Sequence, residues 1–508
     1  MSFQKVLIAN RGEIAVRAIR ACHEMGIKAV AIYSDVDRDA LHVRYADEAY
    51  PCGPPPAAES YLVGERILEI AKRCGAEAIH PGYGFLAENG DFSDLCEKEG
   101  VVFIGPPGDV MRSMGDKVTA RQTMEKAGVP IVPGTTERLS DEAADRWIRE
   151  VGPPVMVKAS AGGGGKGMRL VRDESEIAQA LARARSEAKA SFGDDSLYVE
   201  RFIEEPRHIE IQVLADGHGN AIHLGERECS IQRRHQKVIE EAPANGITEE
   251  TRAKMGETAV AACKAVGYKG AGTCEFLMGA DGKFYFLEMN TRVQVEHAIT
   301  EEISGVDIVK AMIRVAAGEP LGIDQEDVRL SGHAIEARIY AEDPEKGFLP
   351  SPGQIVVYRP AGGIGVRVDS GVYQGARVTP HYDPMVAKLV TWGADRTEAI
   401  DRMRRALSEF VVKGIKTSIP FHRKVMSHPV FVAGTYDTGF VDEHMDGGMG
   451  EPEEMGGERR VALVMAAIAA YSRDKERAER ASSTVVGGGD AAPWTSFARR
   501  SQMRGMLR

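Results

Sequence analysis

Between Phe286 and His297 the sequence reads FLEMNTRVQVEH, which sets Glu288, Asn290, Arg292, Gln294 and Glu296 at every second position. A strand would show all five on one face, whereas a helix would align Glu288, Arg292 and Glu296 as ion pairs four residues apart. The β-branched Thr291, Val293 and Val295 and the aromatic lead-in Phe284, Tyr285 and Phe286 favour the strand. Leu287, Met289, Val293 and Val295 are then expected to face the core, and two carboxylates, two amides and a guanidinium face a ligand. Glu275, in GTCEFL, lies on a segment that can pair with that of Glu288 through the turn MGADGK. Paired strands would bring both carboxylates and Asn290 to one site of oxygen ligands, suited to Mg²⁺ or Mn²⁺ carrying nucleotide phosphates. Like charges placed side by side in an interior are costly without a cation. Zinc is disfavoured, because no set of His and Cys accompanies them.

A second constellation is SAGGGGKGM, flanked by strand-like segments. It contains a G-x-G-x-x-G pattern (Gly162, Gly164, Gly167) but fails the P-loop test, since Gly167 follows Lys166 where Ser or Thr is needed. It reads as a hairpin flap whose bare N–H groups can close over phosphates, or else as a plain surface loop. Lys158, on the strand before it, would supply a point cation. In ERECSIQRRHQK, residues Gln232, Arg233, Arg234, His235 and Lys237 crowd together, and a solvated basic strand is the ordinary reading. Cys229 in the same segment reads as a buried apolar thiol rather than a nucleophile.

The elements that must position these groups fit a multidomain α/β chain. With 508 residues there is too much chain for one core, and a net charge of −11 offers no basic field for nucleic acid. Seven scattered cysteines without a C-x-x-C pair suit a reducing compartment, taken as the cytoplasm. The longest apolar run, VALVMAAIAAY, is too short for a bilayer, so no membrane role is expected. From Val6 the pattern is strand (VLIAN), amphipathic helix, Gly26 as stop and strand (KAVAIYSD), followed by the strand-like AEAIH and VVFIG, a doubly wound unit. NRGE replaces the G-x-G-x-x-G of a dinucleotide site after the first strand. Asp173 with Glu176 forms a capping-box pattern before a helix. A third region, from SGHAIEARIYAED, is rich in short strands, and an acidic Gly-rich linker precedes a helix and a basic tail with Trp494.

Taken together, MVKASAGGGGKGM, VERFIEEPRHIEIQVLAD, ECSIQRRHQKVIEEAP and FLEMNTRVQVEH resemble biotin carboxylases of the ATP-grasp superfamily. IANRGEIAVRAIRA, HPGYGFLAEN, MGDK, GHAIEARIYAEDP and FLPSPG extend the similarity over residues 1 to about 445. The resemblance implies an N-terminal biotin carboxylase domain (1–114) and an ATP-grasp domain (115–330) whose lid, about 133–204, carries the glycine flap. A C-terminal biotin carboxylase domain (331–445) and a linker with a helical extension (446–508) follow. It also implies the reaction: ATP and bicarbonate form carboxyphosphate, whose CO₂ is captured by the ureido nitrogen of biotin, leaving ADP and phosphate.

Matched by motif, Lys117 and Lys158 are the phosphate lysines, and Gly164 and Gly165 belong to the flap. Glu200, Arg201, Ile203, His208, Gln232 and His235 surround the nucleotide. Glu275, Glu288 and Asn290 ligate two ions of Mg²⁺ or Mn²⁺, the two glutamates counting also toward ATP. Lys237, Arg292, Gln294 and the backbone of Val295 hold bicarbonate, Glu296 deprotonates it, and Tyr83 and Arg338 stand beside biotin. The catalytic set is thus Arg292, Glu296, Lys237 and Arg338. With no MKM-like tripeptide and no carboxyltransferase region in the sequence, the expectation is a homodimeric subunit of an acyl-CoA carboxylase. It would act on biotin held by a separate carrier protein, with the extension docking that carrier or the carboxyltransferase. The alternatives are a subunit of a split pyruvate carboxylase and a non-catalytic scaffold. Another ATP-grasp ligase would have no reason to keep RVQVEH together with Arg338.

Overall fold

The apolar run after Gln4 forms β1 (Lys5–Ile8), in which Val6, Leu7 and Ile8 are fully buried. The amphipathic helix Gly12–Glu24 follows, and the chain turns back at Gly26, whose φ of +73° suits glycine. Strands β2 (Lys28–Ser34), β3 (Glu48–Gly53), β4 (Ala78–His80) and β5 (Val102–Phe103) complete a parallel sheet of order β3-β2-β1-β4-β5. This is the expected doubly wound unit. The order reverses between β1 and β4, so their carboxyl ends open a crevice, the usual place for a ligand in such sheets. Asn10 stands there after β1, and the Pro81–Tyr83 turn stands there after β4.

The computed structural model describes residues 2–160, 167–445 and 465. It divides into two units, Met1–Met449 and Gly450–Arg508, and every element described here belongs to the first. The glycine flap with Gly164 and Gly165, and the expected linker, extension helix and tail of 446–508 apart from Met465, lie outside the described residues. Among the described residues no helix is long and apolar enough to cross a membrane.

Strands β6 (Val155–Ala159), β7 (Met168–Val171) and β8 (Leu197–Arg201) form a small antiparallel sheet of order β7-β6-β8. Helices Asp141–Val151 and Ile177–Phe192 cover it through an apolar cluster of its own that includes Ile148, Val157, Leu181 and Val199. The Asp173–Glu176 capping box is present, on the short turn leading into the second helix.

The largest sheet is antiparallel throughout. It contains β9 (Arg207–Ala215), β10 (Ala221–Arg233), β11 (Gln236–Ala242), β12 (Gly270–Met278), β13 (Phe284–Asn290), β14 (His333–Tyr340), β15 (Val366–Ser370) and β16 (Met385–Gly393). Their order is β13-β12-β9-β10-β11-β14-β16-β15. Since β14 pairs directly with β11, the sheet runs unbroken across residue 330.

Two features of the opening motif differ from simple alternation. In the β12–β13 pairing Glu275 faces Glu288, but Phe276 faces Phe286, so Leu287 is an extra residue in β13. Such a bulge reverses the alternation. Phe284 and Phe286 pack in the core with Phe276, whereas Leu287, expected in the core, lines a cleft. The strand also ends at Asn290, and Glu296 is the N-cap residue of the helix His297–Ser304. Val293 is fully buried as expected, while Val295 turns toward the cleft because the chain has left the extended path.

A buried ionic cluster ties this sheet to its covering helices. The Glu241 carboxylate accepts from His333 Nε2 (2.6 Å), Arg396 Nε (2.7 Å) and the Tyr436 hydroxyl. Burial alone would raise its pKa, but His333 and Arg396 hold it down to about 2, against the usual 4.5. A depressed folded-state pKa gives stability that is complete above 4.5 and is lost as pH falls toward 2. Glu241→Gln, neutral at every pH, is therefore expected to lower the melting temperature at neutral pH and to flatten its decline through that window. Melting curves recorded across the acid range check this; a parallel downward shift at every pH would count against it.

Candidate active site

Register places a row of charges straight across four strands. Glu288 on β13 is opposite Glu275 on β12, Glu275 is opposite Glu210 on β9, and Glu210 is opposite Arg227 on β10. Three neighbouring carboxylates are tolerable in an interior only if cations are supplied. Lys237 of β11 sits among them, its Nζ donating to Glu210 Oε2 (2.5 Å), Glu275 Oε1 (2.8 Å) and Glu296 Oε1 (2.7 Å). Burial works against the ammonium, yet these glutamates hold its pKa well above the usual lysine range. At the other end Lys117 Nζ donates to Glu288 Oε2 at 3.0 Å. Burial disfavours this charge as well, and Glu288 restores it, leaving the Lys117 pKa raised.

All the expected site residues that are described, except Tyr83, line one cleft of about 510 Å³ over this row. Lys158 and Arg121 both reach the buried Glu200 carboxylate, Arg121 at 2.9 Å. The Glu200 side chain is thereby committed to those two cations. His208 Nε2 lies 2.9 Å from Glu275 Oε2, and its Nδ1 is 2.9 Å from Gln232 Nε2. Gln232 lies near the end of β10 and His235 at the tip of the β10–β11 hairpin, where Arg234 and His235 both take positive φ. Only those two residues of the basic segment are exposed, so the solvated-strand reading holds for the turn and not for the strand ends. Cys229 is buried, and burial lifts its thiol well above the usual range, which leaves it protonated and unreactive.

The second half of the opening motif is fixed by its own hydrogen bonds. Gln294 donates through Nε2 to Glu275 Oε1 (2.7 Å) and accepts at Oε1 from Arg227 Nη2 (2.8 Å). Arg292 donates to Asn290 Oδ1 (3.0 Å) and to Glu88 Oε2 (2.9 Å). Glu296 accepts Lys237 on one oxygen and Arg338 Nη2 on the other at 2.9 Å. Burial would raise its pKa, but Lys237, Arg338 and Arg227 hold it well below the carboxylate range. Arg338, Arg292 and Val295 also line a second cavity of about 520 Å³, the crevice at the β1–β4 switch point, and Tyr83 stands in its wall. Tyr83 is placed by the Gly82 turn (φ +64°), whose flanking carbonyls at Pro81 and Tyr83 both accept from Asn10 Nδ2. Its hydroxyl donates to Glu13. The two cavities share Gln236, Arg292, Val295 and Arg338 in their walls, and Glu296 lines the first of them.

Sequence reading missed Glu210, Arg227, Glu88 and Glu240. Glu210 had a signal, because HIEIQ repeats the alternation of the opening motif, two strands away in the sheet. Arg227 and Glu88 become visible only through strand register and the packing of the first domain on the sheet.

Family models match three consecutive stretches: "Biotin carboxylase, N-terminal domain" over residues 2–111, "Carbamoyl-phosphate synthase L chain, ATP binding domain" over 116–324, and "Biotin carboxylase C-terminal domain" over 336–443. The chain is 54% identical over 443 residues to biotin carboxylase 1 of Bacillus subtilis, covering 87% of this chain and 98% of that one. It is 57% identical over 446 residues to a pyruvate carboxylase subunit of Methanothermobacter thermautotrophicus, covering 88% and 91%. A crystal structure of a biotin carboxylase complex with βγ-ATP from Campylobacter jejuni superposes with a TM-score of 0.85 at 50% identity, covering 87% and 99%. The biotin carboxylase domain dimer of Hydrogenobacter thermophilus 2-oxoglutarate carboxylase, in complex with MgADP, ADP and bicarbonate, gives 0.85 at 51% identity, covering 87% and 98%. With its three domains matched in order and relatives above 50% identity over almost their whole length, the chain belongs to the biotin carboxylase family.

Proposed function

We propose that the chain uses ATP and bicarbonate to carboxylate biotin, releasing ADP and phosphate, with the residues of the cleft in the following roles. The observation that carries this reading is the placement of Glu296 between Lys237 and Arg338, the latter lining both cavities. Lys117 and Lys158 hold the nucleotide phosphates as point cations. Arg201 and Ile203, the backbone of Glu200, His208, Gln232 and His235 line the base and ribose side of the cleft. Arg292, Gln294, Lys237 and the Val295 N–H hold bicarbonate as fixed donors. Glu296 takes the bicarbonate proton. Its resting pKa is too low for an effective base, so an anion that draws Lys237 away from it also raises its basicity. The oxygen of the deprotonated bicarbonate attacks the terminal phosphorus of ATP, the bond to ADP breaks and ADP leaves, and the resulting carboxyphosphate breaks down to CO₂, captured by the ureido nitrogen of biotin, and phosphate. Arg338 stabilises the negative charge of the biotin ureido oxygen, with Tyr83 beside it.

Glu275, Glu288 and Asn290 offer adjacent hard oxygen donors on one face of β12 and β13, which fit Mg²⁺ or Mn²⁺ better than a soft metal. When bound there, the ions neutralise the phosphate charge. Replacing Glu288 by Gln is expected to raise the Mg²⁺ concentration needed for half-maximal rate and the KM for ATP by about tenfold each, the loss of one charged contact. Titrating Mg²⁺ at fixed ATP measures it, and an unchanged Mg²⁺ requirement would remove Glu288 from the metal site.

We further infer a homodimeric subunit that works on biotin attached to a carrier protein and hands it to carboxyltransferase subunits of an acyl-CoA carboxylase. The Methanothermobacter relative supports a second reading, the corresponding subunit of a pyruvate carboxylase. Seven buried free thiols support a reducing, cytoplasmic location. The division of the chain at residues 114, 330 and 445, with a lid at 133–204, is part of the same proposal, and the separate apolar cluster of that lid supports it. The test is ADP release with bicarbonate and Mg²⁺, with and without free biotin. Biotin-stimulated release accompanied by carboxybiotin is expected, and its absence would overturn the reading.

A further inference from the structure

Behind Arg338 the strand register places two more glutamates face to face. Glu240 on β11 is directly opposite Glu336 on β14, and Arg338 follows Glu336 by two residues on the same face of β14. Both glutamates are fully buried. Glu240 Oε1 accepts from Arg338 Nε at 2.6 Å, but Glu240 Oε2 and both oxygens of Glu336 have no hydrogen-bond partner. The charged groups facing Glu336 are Lys388 on the neighbouring strand, Arg338, Glu240 and Glu296. Lys388 is itself engaged, since its Nζ donates to the Val295 carbonyl at 2.6 Å. Two adjacent buried carboxylates with three orphaned oxygens cannot both stay ionised at low cost, whereas one shared proton supplies a donor and removes a charge. Burial pushes Glu240 up to about 7 and Glu336 well above the carboxylate range, in the same direction.

We propose that Glu240 and Glu336 form an acid pair sharing one proton, whose carboxylate anchors Arg338 from behind and makes Glu240 a positioning residue for the biotin half of the reaction. The proposal rests on the function argued above. Arg338 is suspended between two carboxylates, Glu240 and Glu296. Once Glu296 accepts a proton, its charge-assisted bond to Arg338 weakens and Glu240 is the carboxylate that keeps the guanidinium plane fixed. The N–H groups released from Glu296 then face the ureido oxygen rather than swinging with a free side chain. Glu336 keeps the lone pair of Glu240 that faces it satisfied, so that the anchor is not itself an unpaired buried charge.

The experiment compares the full-length wild type with Glu240→Gln and Glu336→Gln. Glu240→Gln is expected to lower biotin-stimulated ADP release about 10- to 100-fold and to raise the KM for biotin, because a charge-assisted hydrogen bond to Arg338 becomes a weaker neutral one. Its biotin-free, bicarbonate-dependent ATP turnover and KM for ATP should stay within about twofold, a split that general loosening of the sheet would not produce. Glu336→Gln supplies an amide N–H in place of the shared proton and should keep the biotin-stimulated rate within about threefold. If Glu240→Gln does not fold, Glu240→Asp, one methylene shorter, should show the same selective loss. Equal loss of both activities in the Glu240 variants, no loss at all, or a Glu336→Gln variant as impaired as Glu240→Gln would each overturn the proposal. A wild type without biotin-stimulated release would instead overturn the function on which it rests.

Discussion

Glu296→Gln is expected to cut carboxybiotin formation by about 10²- to 10⁴-fold, the usual contribution of a positioned general base, while ATP binding changes little. The substitution is nearly isosteric, and an amide oxygen can still accept from Lys237 or from Arg338. It cannot take a proton. The nucleotide end of the cleft is built from other pairs, Lys117 with Glu288 and Lys158 with Glu200, so the KM for ATP should stay within a few-fold. Lys237 keeps Glu210 and Glu275 as partners and stays charged in place. A single-turnover measurement with saturating ATP and bicarbonate separates the two effects. A rate within about tenfold of wild type would remove Glu296 from the role of base. It would also reopen the scaffold alternative, in which this carboxylate is one more buried ion-pair partner.

The sequence of FLEMNTRVQVEH announced a polar row and its direction. What it did not carry is the bulge at Leu287 and the end of the strand at Asn290, because both depend on pairing with β12 and on the helix that starts at His297. Alternation is a property of one strand, whereas register belongs to two. The same distinction explains the missed residues. Glu210 repeats the visible pattern of the row, but its partner Arg227 lies in GERECSIQ, where no spacing marks it out from a surface charge. The doubly wound unit was legible because four of its five strands are apolar runs, whereas β3, EAYPCG, carries no such run and was not foreseen. The union of β11 with β14 was not, since residues 243–332, carrying two other strands and three α-helices, lie between them, and nothing local signals that the sheet continues past residue 330.

Arg227→Met is expected to be the most destabilising of these substitutions, by about 3–5 kcal/mol, because it takes from the buried Glu210 one of its two cations and leaves the side-chain acceptors around the guanidinium without their donor. Arg227 has no exposed surface, and its guanidinium donates to Glu210 Oε1 (2.5 Å), Gln212 Oε1 (2.7 Å), Thr300 Oγ1 (2.9 Å), Thr273 Oγ1 (3.2 Å) and Gln294 Oε1 (2.8 Å). Burial disfavours the charge, and Glu210 and Glu296 restore it, so its pKa stays above the usual arginine value. Met fills a similar volume but leaves Glu210 with Lys237 as its one remaining cation and leaves Gln294 free to turn its amide. Combining it with Glu210→Gln removes the under-compensated charge and should return roughly half of the lost stability, a coupling measurable by a double-mutant cycle in urea. The activity of that double variant should remain low, because Gln294 has still lost the donor that fixes its oxygen and Lys237 has lost one carboxylate. Additive stability losses would show that the guanidinium acts through its contacts with Thr273, Thr300 and Gln212 rather than as the counterion that lets three glutamates share one sheet face.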